Sequence, residues 1–382
     1  MELVNRLLLE GKIYLFLYLL LWILVIFESS KYFSQYKKTT FLCSSIILWL
    51  FIGLRWETGT DWNSYKELFD SLELNWTFLF NIYHFDIGYV LFNALTRLFT
   101  NSYTIFLILN SGITIYFLYK LIRKLSPYPN LSLFFFYANF MIAQFMGSNR
   151  RMMAMVFVLW AFYYIFYEKK VYSAINIGLA FVFHRSSIIN ITSYFIPRTL
   201  FTIRTTILIL LCSLLIGLLQ IPAKLVDLIG NTLIAFVNNP IVENMVYYSE
   251  TNEEHLVYST GSLFLSTLLA VLKRTIFLVF YIYITRRNNV DKLTQFFYNI
   301  YIIGFAGYLF FIGSFFQMLT AFFTFIEVIL IGRMYSYVNG STKLLFICML
   351  FLYGFLQMMN AVGTYPEQYL PYLPFWTDIH RL

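Results

Sequence analysis

The chain has 382 residues, of which 60% are apolar, 21% aromatic and only 12% charged, with a formal net charge of +8. Soluble globular domains carry about 25% charged residues, so this composition excludes one and indicates a polytopic membrane protein. The positive sign suits a protein handling anionic lipid or phosphate, yet Lys/Arg-rich cytoplasmic loops give similar totals for topological reasons, so only the placement of individual arginines informs.

In chain order, the first apolar run, Ile13–Phe27, follows two basic residues and Glu10, and no small-residue cleavage site comes after it. It reads as a first span and not as a cleaved signal. A bilayer crossing takes about 20 apolar residues as helix. Further spans are expected at 40–54, 103–121, 131–147, 150–167, 171–184, 186–197, 204–221, 262–284, 293–312, 316–332 and 343–361. The clusters Lys31/Lys37/Lys38, Arg123/Lys124, Lys169/Lys170, Arg198/Arg204, Arg286/Arg287/Lys292 and Arg333/Lys343 fall in alternate loops. Placing them in the cytoplasm puts both termini outside and requires an even number of crossings. It also forces a turn at the outer face around His184, with a broken pair of helices flanking it. The expected fold is therefore a single all-α transmembrane domain over 1–382, with about twelve crossings.

Two long segments then lie outside. Residues 55–102 hold the polar turn GLRWETGTDW and a periodic stretch, Ile87–Phe99, expected to lie along the membrane. Residues 222–260 open on Pro222 and carry Phe236, Tyr247, Tyr248 and Tyr258, a content suited to packing amphipathic helices over the surface. The three cysteines, Cys43, Cys212 and Cys348, sit in apolar runs and are expected to be small buried hydrophobes without disulfides.

Candidate chemistry lies with the basic residues that break the cytoplasmic rule: Arg55, Arg97, Arg150, Arg151 and Arg185. Arg150 and Arg151 follow Ser148-Asn149 between two spans. Adjacent helical side chains diverge by about 100°, so one arginine faces inward and the other the interface. Guanidinium matches phosphate through bidentate, charge-assisted hydrogen bonds; the alternative is interfacial snorkelling. His184, in FVFHRSSII beside Arg185, has the proton affinity of a general base, or it serves as a neutral cap at a helix break. Thr60 or Asp61 is expected to N-cap a helix over 62–70, while Glu57 and Asp61 can alternatively bind an acceptor or take its proton. Trp56, Trp62 and Tyr65 offer sugar-stacking planes, although such residues populate any membrane interface. There is no HExxH, CxxC pair, P-loop or DxD, and the four histidines are scattered, so neither a metal centre nor a cofactor is expected.

Gly53-Leu54-Arg55, followed by Gly59-Thr60-Asp61-Trp62 and Tyr65, resembles the signature of the EpsG/Wzy family of polysaccharide polymerases. Arg150 with Ala154 is similar to that family's arginine motif, and Phe183-His184 with Ser186 to its FHxS motif; the order of the three pieces, over residues 41–195, gives the resemblance its weight. Arg151 departs from the pattern, which often has glutamine there.

The resemblance implies a GT-C-like enzyme of the bacterial inner membrane that joins undecaprenyl-pyrophosphate-linked repeat units on the periplasmic face. It implies catalytic roles for Arg55, Arg150, His184 and Asp61, and substrate contacts from Arg151, Arg185, Glu57, Trp62 and Tyr65. The implied partners are donor and acceptor glycolipids, the bilayer and a chain-length regulator in the membrane, with no nucleic acid. A flippase of lipid-linked sugars would use the same arginines but usually shows inverted repeats, which are absent from this sequence. A glycan ligase shares the chemistry, and a membrane acyltransferase would want its histidine in a central or cytoplasmic tunnel.

Overall fold

In hydrocarbon every backbone N–H and C=O must be paired within its own segment, so long apolar runs fold as helices. The computed structural model describes residues 2–30, 32–72, 85–222, 224–225, 228, 263–312 and 314–380. Among them the strands are two residues each, Arg55–Trp56 and Leu373–Pro374, and helical structure occupies most of the described part of each expected span. Among the described residues, five helices are long and apolar enough to cross a membrane: Lys12–Ser29, Tyr103–Leu125, Lys292–Phe310, Phe316–Tyr335 and Ser341–Thr364. The chain is an all-α, multi-pass membrane protein. Of the two long segments expected outside, 73–84 in the first and all of the second except 222, 224, 225 and 228 lie outside the described residues.

The chain forms two compact units, residues 1–191 with 328–382, and residues 192–327. In the first, the Tyr103–Leu125 helix packs on the helices Lys37–Gly53 and Asn149–Phe166. Glu28, at the end of Lys12–Ser29, caps the helix Pro129–Phe136 from a distance in sequence: its carboxylate oxygens accept from the Asn130 and Leu131 amides at 3.2 and 3.1 Å. Two otherwise orphaned helix-terminal donors are thereby satisfied. That helix continues as a π-helical stretch, Tyr137–Met146, a rare form that shifts the helix face, and ends at Gly147 before Asn149–Phe166 begins. The helix Lys170–Phe183 ends at an extended His184 and is followed by a 3-10 run, Arg185–Phe195. The expected break at His184 is present, with 3-10 structure in place of a second α-helix.

In the second unit, Asp291 caps Lys292–Phe310 by accepting from the Leu293 and Thr294 amides at 3.0 and 3.1 Å. Buried Glu327 accepts the Tyr281 hydroxyl at 3.0 Å. The cysteines correct one expectation: all three are free, as expected, but exposed on helix surfaces. In a membrane chain an apolar run can face lipid as readily as the protein core, so apolar sequence context does not imply burial.

Candidate functional site

The helix Lys37–Gly53 stops where Arg55 and Trp56 pair antiparallel with Pro374 and Leu373. Two further bonds brace the turn that follows, from the Phe375 amide to the Leu54 carbonyl and from the Gly59 amide to the Gln368 carbonyl, both 2.8 Å. Glu57 and Gly59 take positive φ, 43° and 116°. A Cβ on Gly59 would lie 2.0 Å from the Met146 carbonyl oxygen, so only glycine lets this turn press on the end of the π-helical stretch. Side chains then join the two turns. The Tyr65 hydroxyl lies 2.8 Å from Ser148 Oγ, Thr60 Oγ1 donates to the Gly147 carbonyl at 3.3 Å, and Arg55 Nη2 donates to Asn149 Oδ1 at 2.7 Å. The first two sequence motifs are thus one structural piece.

Arg55 is only 1% exposed. Besides Asn149, its Nε donates to the Thr58 carbonyl at 3.0 Å and its Nη1 to the Ile52 carbonyl at 2.9 Å. Such bonds to neutral acceptors hold a charge inside protein and fix the turn.

Helix Trp62–Ser71 starts at Asp61, but neither expected cap forms. The Thr60 hydroxyl is taken by Gly147, and the Asp61 carboxylate accepts the Tyr65 hydroxyl at 3.2 Å. Bonds to the neighbouring turn and to Tyr65 have replaced capping. Trp62 and Tyr65 are buried in an aromatic cluster, Trp62 against Trp56 and Tyr103 (centroids 4.9 and 5.6 Å) and Tyr65 against Tyr89 (5.1 Å). Burial removes both as exposed sugar platforms. Glu57 is exposed. Arg97 donates to the Phe69 carbonyl at 2.9 Å and lies over that ring, apart from the motif residues.

Arg150, His184 and Arg185 meet on a group that sequence reasoning missed. Asp86, whose side chain is 4% exposed, accepts Arg150 Nη1 at 2.7 Å and His184 Nδ1 at 3.3 Å on Oδ2. Its Oδ1 accepts the Arg185 amide at 3.0 Å and Arg185 Nε at 3.2 Å. The surrounding side chains are progressively more open: His184 13%, Arg150 23%, Arg185 47% exposed. Arg151 turns elsewhere and donates to Gln144 Oε1 at 3.2 Å, so the neighbouring arginines do diverge. Asp86 carries one visible signal: an acid directly before the amphipathic run from Ile87, which reads as an ordinary helix cap. Only its partners from residues 150, 184 and 185 reveal otherwise.

Burial pushes the Asp86 carboxyl up, but the hydrogen bond with His184 and the charge of Arg150 outweigh it and hold it below its ordinary value. His184 lies beyond the last residue of its helix. Burial lowers its proton affinity, the Asp86 hydrogen bond opposes this, and Arg151 and Arg150 add to the lowering. The lowering favours the neutral imidazole, the form that can accept a proton. Among the described residues, no group of three or more His, Cys, Asp and Glu comes together as a metal site would require.

Neither the curated proteins nor the solved structures contain a match to the chain. The model of the EpsG family matches residues 38–373, from the helix before the Arg55 turn to the strand that pairs with it. Because that match covers most of the chain, the chain belongs to the EpsG family, a family of Wzy-type polymerases.

Proposed function

We propose that the protein is a polysaccharide polymerase that joins repeat units carried on undecaprenyl pyrophosphate, at the periplasmic face of a bacterial inner membrane. In this reading the chain crosses the membrane twelve times as one GT-C-like domain, with the cluster around Asp86 at the outer end. The observation that carries the chemistry is the convergence of partly exposed Arg150, Arg185 and His184 on one buried carboxylate. Two partly exposed guanidinium groups held at one place by a carboxylate suit a diphosphate. Fixed guanidinium groups stabilise the charge that develops on a departing diphosphate.

The transfer balances simply. An acceptor hydroxyl oxygen forms a bond to the anomeric carbon of the donor. The bond from that carbon to the diphosphate oxygen breaks, and its electron pair leaves with undecaprenyl pyrophosphate. The hydroxyl proton passes to His184. Arg150 and Arg185 meet the leaving group, and Arg151 and exposed Glu57 contribute at the rim. We assign Arg55, Asp61, Trp62 and Tyr65 to holding the two turns together, because the polar groups of Arg55, Asp61 and Tyr65 bond within the protein and the rings of Trp62 and Tyr65 pack in its aromatic cluster. A chain-length regulator in the same membrane is the expected protein partner.

Deleting the gene tests this reading. A polymerase mutant caps its surface glycan with a single repeat unit, and plasmid-borne wild type restores the ladder. Complete absence of surface glycan would instead identify a flippase.

A further inference from the structure

We propose that Asp86 is the positioning residue that fixes His184 as a base and sets it against Arg150 and Arg185. The inference rests on the polymerase reading for its substrate but not for its geometry.

An aspartate directly before a helix ordinarily accepts from the first-turn amides and stabilises the helix. Asp86 has the cap position of Ile87–Arg97 and the extended backbone of a cap, φ −74° and ψ 137°, yet its side chain makes no capping bond. Both oxygens turn instead to residues 150, 184 and 185. A local stabilisation has been relinquished for a long-range cluster.

The approach that permits this is built into the backbone. A Cβ on Gly88 would lie 2.4 Å from Val182 Cγ1 and 2.8 Å from the Val182 carbonyl oxygen. Glycine at 88 therefore lets the helix carrying Asp86 dock on the last turn before His184. The Arg185 amide, bonded to Asp86 Oδ1, pins the chain where α-helix passes to 3-10 helix.

The chemistry follows from this placement. A carboxylate on Nδ1 selects the tautomer with its proton there and puts the lone pair on Nε2. The same anion then stabilises the imidazolium formed when a proton arrives. Without it, His184 would have to protonate beside the positive charges of Arg150, Arg151 and Arg185. Asp86 itself is the most enclosed member of the cluster, so it acts through its neighbours and not on substrate.

Two readouts on the full-length protein test the role. In membranes supplied with lipid-linked repeat units, Asp86→Asn is expected to lower polymerisation by roughly 10²-fold and to move the acid limb of the pH–rate profile to lower pH. In detergent-purified protein labelled with ¹⁵N-histidine, the His184 signal, assigned by its loss in His184→Gln, is expected to titrate at lower pH in Asp86→Asn. Asp86→Glu keeps the charge and should restore the titration and most of the rate. An unchanged His184 titration in Asp86→Asn overturns the inference, whatever the enzymatic result. So does an Asp86→Glu protein that titrates like Asp86→Asn. If Asp86→Asn does not accumulate, Asp86→Gln takes its place in the titration, read against Asp86→Glu by the same criteria. Wild-type membranes that make no polymer would count against the polymerase reading alone, since the titration needs no substrate.

Discussion

Two arginine sites lie close together in the chain's motifs and differ in kind. Arg55 is enclosed, and its partners are two backbone carbonyls and Asn149. Arg150 and Arg185 are partly open and share the Asp86 carboxylate. A buried cation on neutral acceptors resists rearrangement, because any movement strands donors and acceptors away from water. A partly exposed cation can exchange one anion for another at small loss. The first arrangement builds a frame, and the second can bind and release a ligand.

Substitutions can break this contrast. Arg150→Ala should reduce polymer formation by roughly 10²–10³-fold, as for loss of one preorganised charge donor, a loss far larger than the fall in folded protein read from a detergent melt. Arg55→Met should instead lower stability by about 3 kcal/mol through stranded acceptors, and long-chain polymer should fall only in proportion to folded protein. An Arg55→Met protein that melts normally but makes no polymer would reverse the assignment and return Arg55 to the substrate.

Gly59→Ala probes the frame from the backbone. The clash with the Met146 carbonyl and the positive φ should cost about 1–3 kcal/mol, read as a lower midpoint. Tyr65→Phe removes the bonds to Ser148 and Asp61 and should cost only about 1 kcal/mol, with polymer length retained.

The smallest effect concerns pH. Asp86 has a folded-state pKa below its unfolded value, so its contribution to stability is complete above the unfolded value of about 3.9 and is lost as pH falls through the folded one. Acid should therefore erode wild-type stability below about pH 4, and Asp86→Asn should flatten that part of the curve. An identical acid dependence in both proteins would show that the cluster does not stabilise the fold.

Much of this was legible in the residues. The apolar runs, the break at His184 and the divergence of Arg150 from Arg151 all appear where hydropathy and helical geometry put them. Burial was less legible. Cys43, Cys212 and Cys348 face outward, and Trp62 and Tyr65 face inward, because apolar character cannot distinguish lipid from protein core. Asp61 lost its expected cap to a tyrosine one turn on, a competition that depends on side-chain geometry.

By itself the sequence determined a helical membrane protein with three short motifs in a set order, since hydrocarbon permits an isolated span few other forms. Only the tertiary structure decided that the arginines have different neighbours and that Asp86 joins residues 150, 184 and 185. Those partners lie 64 to 99 positions away, and no local periodicity carries information over such a distance. Helix packing brings them together, through the close approaches that glycine allows at 59 and 88.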